Sequence, residues 1–372
     1  LATYAVLARG EAGCRNVVVI ERERHQGKGS TGKSMGGVRA QFATPVNIRM
    51  SLYSIPFFRD FEQRTGRESG YRAQGYLFVA TEERHLAYLK DNYGRQVAEG
   101  LSTARLLSAG EVRAIAPEIR SDDVIGGSFC STDGFVDPHL AMTGFMESAM
   151  ERGAALMRDA EVTGVETDAR GVAAVHTSQG SVSTRVVVNA CGAWAAGVAK
   201  MAGVDLPVVP LRRMLAPTEP FDRVSRLSPM VVDMATGFHY RPESLGLLLA
   251  WNDATEKPGF KTDFDPAFVE KVLTKGVERL PCLEYAEVNP RRCWAGLYEV
   301  SPDHHAILGA VREVPGFFLA NGFSGHGVMH SPATGKVLAD LIVKGRTELI
   351  DASIVDLYRF AEGREIHETA VL

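Results

Sequence analysis

Gly322-Phe323-Ser324-Gly325-His326-Gly327 sets three glycines and one imidazole within six residues. Little side chain separates such a backbone from its neighbour. Its bare N–H groups suit an electron-rich partner, a phosphate or an electron-rich ring edge. The other reading is a tight turn that only packs closely. A second glycine segment, Gly27-Lys28-Gly29-Ser30-Thr31-Gly32-Lys33-Ser34, matches G-x-x-x-x-G-K-[ST] at every position. That pattern cradles nucleotide phosphates when a strand leads into it and a helix leaves it. A third feature is Glu21, an acid directly after the apolar run Val17-Val18-Val19-Ile20. An acid at a strand end can accept hydrogen bonds from a ribose.

The elements around these residues decide between the readings. Gly316–Asn321 reads as a strand and Ser331–Leu341 as a helix, so the 322–327 turn lies between them and faces the positive helix end. Leu1–Arg9 reads as a helix stopped by Gly10, and Val17–Ile20 as a parallel-sheet strand. Helix, turn, strand and acid form the second half of a βαβ dinucleotide unit. Its glycine fingerprint lies ~20 residues before the acid, so the first strand and G-x-G-x-x-G are expected before Leu1. The competing reading makes Glu21 a solvated acid opening the run Glu21-Arg22-Glu23-Arg24. The phosphate-loop match sits in the wrong context. Arg22–Gln26 separate it from the strand, and Gly36-Gly37 break any helix that follows. A nucleoside-triphosphatase remains a remote alternative.

Further along, Asn47–Thr65, Glu83–Glu99, Leu140–Arg152 and Asp265–Gly276 carry helical spacing. Gly75–Ala80, Gly126–Val136, Glu161–Val165, Val172–Thr177, Arg185–Asn189, Val208–Arg213, Phe238–Arg241 and Leu245–Trp251 read as strands. A second strand–glycine–helix turn falls at Ala190-Cys191-Gly192-Ala193-Trp194. Mixed βαβ segments interrupted by antiparallel-looking strands predict an α/β chain of two interleaved domains.

The chain has 372 residues, 45% hydrophobic and 23% charged, with net charge -4. That balance gives no reason to expect nucleic acid or an anionic membrane as partner. No apolar run is long enough to span a bilayer. Cys14, Cys130, Cys191, Cys282 and Cys293 are scattered and odd in number, against a disulfide framework or zinc site and in keeping with a cytoplasmic protein. Asp303-His304-His305 has no partner cluster at ligand spacing, so no metal is expected.

Together, Val17–Glu21, Ser30–Phe42, Val187–Trp194, Trp294–Gly309 and Asn321–Lys336 resemble the D-amino-acid-oxidase (DAO) superfamily of FAD-dependent oxidoreductases. The look is that of its sarcosine oxidase, glycine oxidase, dimethylglycine dehydrogenase and proline dehydrogenase β-subunit branch. The resemblance implies a Rossmann-like FAD-binding domain over 1–66, 137–205 and 292–372. A mixed-sheet substrate domain, α+β in character, takes 67–136 and 206–291.

It further implies that Glu21 binds the adenosine ribose, with Arg22 beside the adenine and Val162 meeting it through its backbone. Ser30, Thr31, Ser34, Met35, Gly36 and Gly37 line the pyrophosphate and the flavin. Ala190, Gly192 and Trp194 close the diphosphate side. Gly322, Phe323, Ser324, Gly325, His326 and Gly327, with Val328, hold the pyrimidine edge of the ring. Arg39 aligns with an arginine that grips a substrate carboxylate, Tyr298 with a tyrosine over the flavin, and His239 or Tyr240 with another site residue. His326 reads as a local hydrogen-bonding residue.

Departures from the family pattern carry expectations too. The covalent flavin cysteine falls at Gly296 and its alternative histidine near Lys33, which implies non-covalent FAD. An oxygen-activating lysine falls near Leu248, favouring a dehydrogenase, and a carboxylate-binding lysine falls at Met329. The expected reaction is oxidation of the C–N bond of a small amino acid or N-methyl amine, with oxygen or an electron-transfer partner as acceptor. Alternatives are a flavin subunit of a hetero-oligomeric electron-transfer complex and a non-catalytic assembly flavoprotein.

Overall fold

A computed structural model describes residues 16–369. The helix read over Leu1–Arg9, and Cys14, lie outside them. Val18–Ile20 runs parallel to Ala155–Met157, and Val187–Asn189 runs parallel to Phe317–Asn321, with Ile307–Ala310 antiparallel on its other edge. Phe317–Asn321 is buried at every position. A strand covered on both faces reads as a near-continuous apolar run, and here only Asn321, at its end, is polar. On one side lie Val172, Ala195, Val208 and Phe317. On the other the long helix Gly327–Lys344 packs against Pro45–Arg59, bringing Val46, Met50, Ala333 and Val337 together.

That long helix starts four residues earlier than its periodicity indicates, so His326 is its N-cap and the glycine turn feeds it directly. Pro332 lies inside it and removes the N–H that Val328 O would accept. The Ser331 hydroxyl donates to Val328 O instead, at 2.9 Å. The helix ends at Gly345, φ 70°, whose N–H closes on Leu341 O.

An eight-stranded sheet forms the second layer. Its order is Trp294–Val300, Val209–Pro217, Gly246–Ala250, His239–Glu243, Met230–Asp233, Tyr76–Ala80, Gly126–Cys130, Ala104–Ser108. Only the Met230 and Tyr76 strands pair in parallel. Alternation splits its side chains between two environments. Leu77, Val79, Val231, Tyr240, Leu249 and Ala295 enter a core that also holds Val112 of the helix Ala109–Ile115 and Phe268 and Val272 of the helix Ala267–Arg279. Trp294, Leu215, Ala250, His239, Val232 and Phe78 form one cross-strand row on the opposite face. Seven of the eight strands fall in the stretches read as the substrate domain. The eighth, Trp294–Val300, comes from the stretch read as cofactor-binding and so ties the two layers together.

Two buried charged groups brace the carboxyl-terminal stretch. Arg359 is fully buried and bidentate on Asp303, at 2.7 and 2.8 Å. Glu368, also buried, accepts from Ala43 N, Thr44 Oγ1 and Asn47 Nδ2 at 3.0, 2.7 and 2.9 Å. It thereby ties together the residues that enter the Pro45–Arg59 helix and sets a carboxylate at the positive end of that helix.

Candidate cofactor and substrate site

The glycine turn is built from left-handed backbone. Gly322, Ser324 and Gly325 have φ of 71°, 52° and 100°. Ser324 is the costly member, since a side chain disfavours that region. Its own bonds hold it there: Oγ donates to Gly322 O and accepts from Ser301 N, and its N–H reaches Glu299 O at 3.0 Å. A Cβ on Gly325 would come within 2.5 Å of the Tyr298 ring, so the tyrosine lies directly against the bare backbone. Phe323 packs into the core beneath, and Gly327 and Val328 open the helix.

Four segments meet beside this turn. Ser30 Oγ donates to Leu297 O at 2.6 Å, and a Cβ at Gly192 would lie 3.9 Å from the same hydroxyl. Arg22 lies 4.6 Å over the Trp194 ring. Glu21 accepts from Glu23 N at 2.9 Å through Oε1, and its backbone joins Met157 and Ala160, two residues before Val162. Ala190 is exposed beside Cys191. The Cys191 thiol is pushed up to about 11 by burial and by the carboxylates of Glu21 and Glu299, so it stands within electrostatic reach of both. Burial pushes Glu299 up to about 7 although the Gly322 and Phe323 amides bond to it. Its Oε2 has no partner. Glu21–Arg22, Ser30, Gly192–Trp194 and Leu297–Glu299 thus form one track that runs to the glycine turn.

The 27–34 loop closes that track without forming a phosphate loop. Thr31–Lys33 is a single 3-10 turn, Ser34 is extended, and the chain continues into the strand Gly37–Val38. No α-helix starts at Lys33-Ser34, so the helix end that holds phosphates in a nucleoside-triphosphatase is missing. Ser34 Oγ accepts from Gly36 N at 3.0 Å. A Cβ at Gly37 would meet the Tyr76 hydroxyl at 2.5 Å. Met35 packs on the Leu215, Leu248 and Ala250 patch. Gly296 faces Lys33, whose Cβ would be 3.0 Å from a Cβ there. The two positions where the resemblance places flavin-linking residues are therefore neighbours, and neither is a thiol or an imidazole.

Arg39 follows the Gly37–Val38 strand and is 1% exposed. Nη1 donates to Gln41 O at 2.6 Å, Nη2 faces His326 Nε2 at 3.5 Å, and the guanidinium lies 4.0 Å over the Phe42 ring. Beneath it, buried Asp133 accepts from Ala40 N and Gln41 Nε2. Burial holds His326 well below its ordinary range, and Arg39 adds to the effect. His330 is pushed to about 3 for the same reasons. His239 donates Nδ1–H to Gly237 O at 3.0 Å and is pushed to about 4 by burial, with Arg213 and Arg39 contributing. The site therefore presents neutral imidazoles beside cationic guanidinia.

The family model described as FAD dependent oxidoreductase, DAO, matches residues 1–341. The chain belongs to the DAO family. Sarcosine dehydrogenase of Mus musculus is 30% identical over 385 residues, which cover 96% of this chain and 41% of that protein. The chain thus spans about two fifths of that relative. FAD-dependent oxidoreductase domain-containing protein 1 of Xenopus laevis is 30% identical over 94% of this chain and 77% of that protein. The crystal structure of L-proline dehydrogenase from P. horikoshii superposes with a TM-score of 0.90 at 30% identity, covering 98% of this chain and 96% of that one.

FAD is the cofactor of this DAO-family chain, and the track fits it. The Gly325 cradle admits no side chain, Arg22 and Trp194 offer a stacking pair, and the Glu299 carboxyl offers an unused acceptor. Among the described residues no cluster of His, Cys, Asp or Glu could hold a metal ion, and no helix is long and apolar enough to cross a membrane.

Of the pair His239 and Tyr240, only His239 faces this site. Tyr240 is the odd neighbour on the same strand, so it points into the opposite core, where its hydroxyl donates to Glu118 at 3.1 Å. One step along a strand reverses the face, which sets Tyr240 on the other side of the sheet from His239. Met329 is buried beside Phe42 and Val38, and Leu248 beside Met35. Three residues that stand beside Arg39, Tyr298 and the glycine turn escape the motif reading: Asp133, Arg213 and Glu299. Arg213 pairs in register with Gly296 and places its guanidinium 5.4 Å from the Tyr298 ring. Strand alternation from Gly296 and Tyr298 is the signal that finds it.

Proposed function

We propose that this DAO-family chain oxidises the C–N bond of a small amino acid or secondary amine. The observation that carries the reading is the buried Arg39 guanidinium beside the left-handed glycine turn, with the neutral His326 imidazole against it. Arg39 takes the substrate carboxylate in two parallel hydrogen bonds. His326, held neutral, accepts from the guanidinium and adds no charge that would repel a protonating amine. Tyr298, resting on Gly325, walls the site on the sheet side. Phe42 and Phe78 flank the guanidinium and exclude water, which strengthens its hold on the carboxylate. When bound, FAD supplies the acceptor for the hydride removed from the carbon next to nitrogen. Positioning and electrostatics are the protein's share.

Glycine at 296 and lysine at 33 support non-covalent FAD, which acid precipitation would leave in the supernatant. Leucine at 248 favours a dehydrogenase, faster with an artificial electron acceptor than with oxygen. The domain division at 66, 136, 205 and 291 belongs to the same proposal, with the Trp294 strand as the shared element.

The test is anaerobic mixing of the FAD-loaded protein with sarcosine, dimethylglycine, proline, glycine and D-amino acids. Bleaching of the flavin band by at least one amine supports the reading. Retention of the oxidised spectrum with all of them, under conditions where dithionite bleaches it, removes the reading.

A further inference from the structure

Arg213 has the properties of a ligand-holding residue that its own chain leaves unserved. It stands on the site face of the eight-stranded sheet, in register with Gly296, and its guanidinium lies 5.4 Å from the centre of the Tyr298 ring. Nη1 donates to the backbone carbonyl of Arg212 at 3.2 Å. Nε is buried with no partner. Among the described residues no carboxylate lies within ion-pair distance of it. The nearest acids are engaged elsewhere. Glu256 is paired with Arg212 and Lys261, both at 2.8 Å, and Asp253 with Lys271 at 2.9 Å.

His239 lies within electrostatic reach of Arg213 and Arg39, and so does Tyr298. Arg213 lies 5.4 Å from the Tyr298 ring, that ring rests against Gly325, and the next residue, His326, faces Arg39 at 3.5 Å, so the two guanidinia stand at opposite ends of one short chain of contacts. Removing an arginine from water without an anion is unfavourable, and its planar fork matches a carboxylate. A substrate with one carboxylate satisfies Arg39 and leaves Arg213 facing an apolar group.

We propose that Arg213 is a second anion-binding residue of the substrate site, and that the substrate is an amine bearing two carboxylates, one for each arginine. The inference rests on the reading of the site as an amine-oxidising one, and it names the class of amine.

The test uses binding rather than turnover. Thiodiacetate and methylthioacetate replace the amine nitrogen by sulfur and cannot be oxidised along this route; one carries two carboxylates and the other carries one. Their dissociation constants are read from the perturbed flavin spectrum of the FAD-loaded protein. Thiodiacetate should bind about 10- to 100-fold tighter, the usual worth of a charge-assisted hydrogen-bonded pair. Arg213→Met should abolish that preference and leave methylthioacetate within about twofold of its original value. Arg213→Lys, which keeps the charge and loses the fork, should fall between them. Equal binding of the two ligands by the unmodified protein, failure of thiodiacetate to bind, or equal weakening of both by Arg213→Met overturns the proposal. Amine bleaching is scored separately, so loss of the oxidation reading is seen as an unreactive flavin whatever these constants are.

Discussion

His326 Nε2 faces Arg39 Nη2 at 3.5 Å, so the residue at the N-cap position of the long helix also supports the arginine across the site. Only a neutral ring can accept from a guanidinium, and burial keeps this ring neutral. The helix start and the proposed carboxylate clamp are thus one unit. Arg39→Ala should raise KM about 100-fold for carboxylate substrates, and only severalfold for amines that lack a carboxylate. Steady-state kinetics on matched pairs decide it; equal losses on both would assign Arg39 a purely structural role.

Gly325→Ala should cost the protein its flavin before it costs the fold. The residue sits at φ 100°, and an added methyl meets the Tyr298 ring at 2.5 Å. Left-handed strain alone is worth about 1–3 kcal/mol, and the ring has to move as well. Purified variant should carry a fraction of the normal flavin absorbance per chain with unchanged far-ultraviolet circular dichroism. Full flavin occupancy would show that the turn is not where the ring edge rests.

Acid and base pull stability in opposite directions through two buried groups. His239 titrates near 6.5 when unfolded and at about 4 in the fold. Across that window the unfolded chain binds more protons, so its contribution is lost as pH falls, by about 1.4 kcal/mol per unit. Glu299 is the reverse: its folded value, about 7, lies above the unfolded one. Its native state binds more protons between roughly pH 4.5 and 7, so stability is lost as pH rises through that range. Urea midpoints of flavin-free protein at pH 5 and pH 7 separate the two. His239→Gln should gain on the parent more at pH 5, and Glu299→Gln more at pH 7. A constant gap for either variant would mean that the group titrates normally in the fold.

Arg359→Met should destabilise the chain by about 3–5 kcal/mol, because it leaves Asp303 buried without its cation. Arg359→Met combined with Asp303→Asn should recover part of that loss. Chemical unfolding measures both, and a double variant no better than the single one would contradict the pairing.

Much of the backbone around the glycine turn was legible because its signals are local. Gly322–Gly327 needs left-handed backbone and says so in glycines; Val17–Glu21 shows an apolar strand with an acid at its end. The substrate side depends on register, which no local pattern records. Parity along one strand sends His239 to the site and Tyr240 to the core, and the two are indistinguishable until the neighbouring strands are in place. Arg213 hides in Leu211-Arg212-Arg213, where two adjacent arginines read as surface, although Arg212 and Arg213 point to opposite faces. Glu299 hides similarly beside Tyr298. Ala104–Ser108 and Met230–Asp233 are short strands recruited by the sheet rather than announced by their own composition. The phosphate-loop pattern at Gly27–Ser34 shows the converse, a complete motif whose flanks deny it the required helix.

Glu368 bonds to residues 43, 44 and 47 from more than three hundred positions away. During synthesis the ribosome delivers the loop that carries Arg39 and Phe42 long before it delivers that carboxylate. The start of the Pro45–Arg59 helix therefore waits, with its donors turned to water, until almost all of the described chain has emerged. The wall behind the arginine is therefore locked only after the strands and the glycine turn that precede Glu368 in the chain have been made.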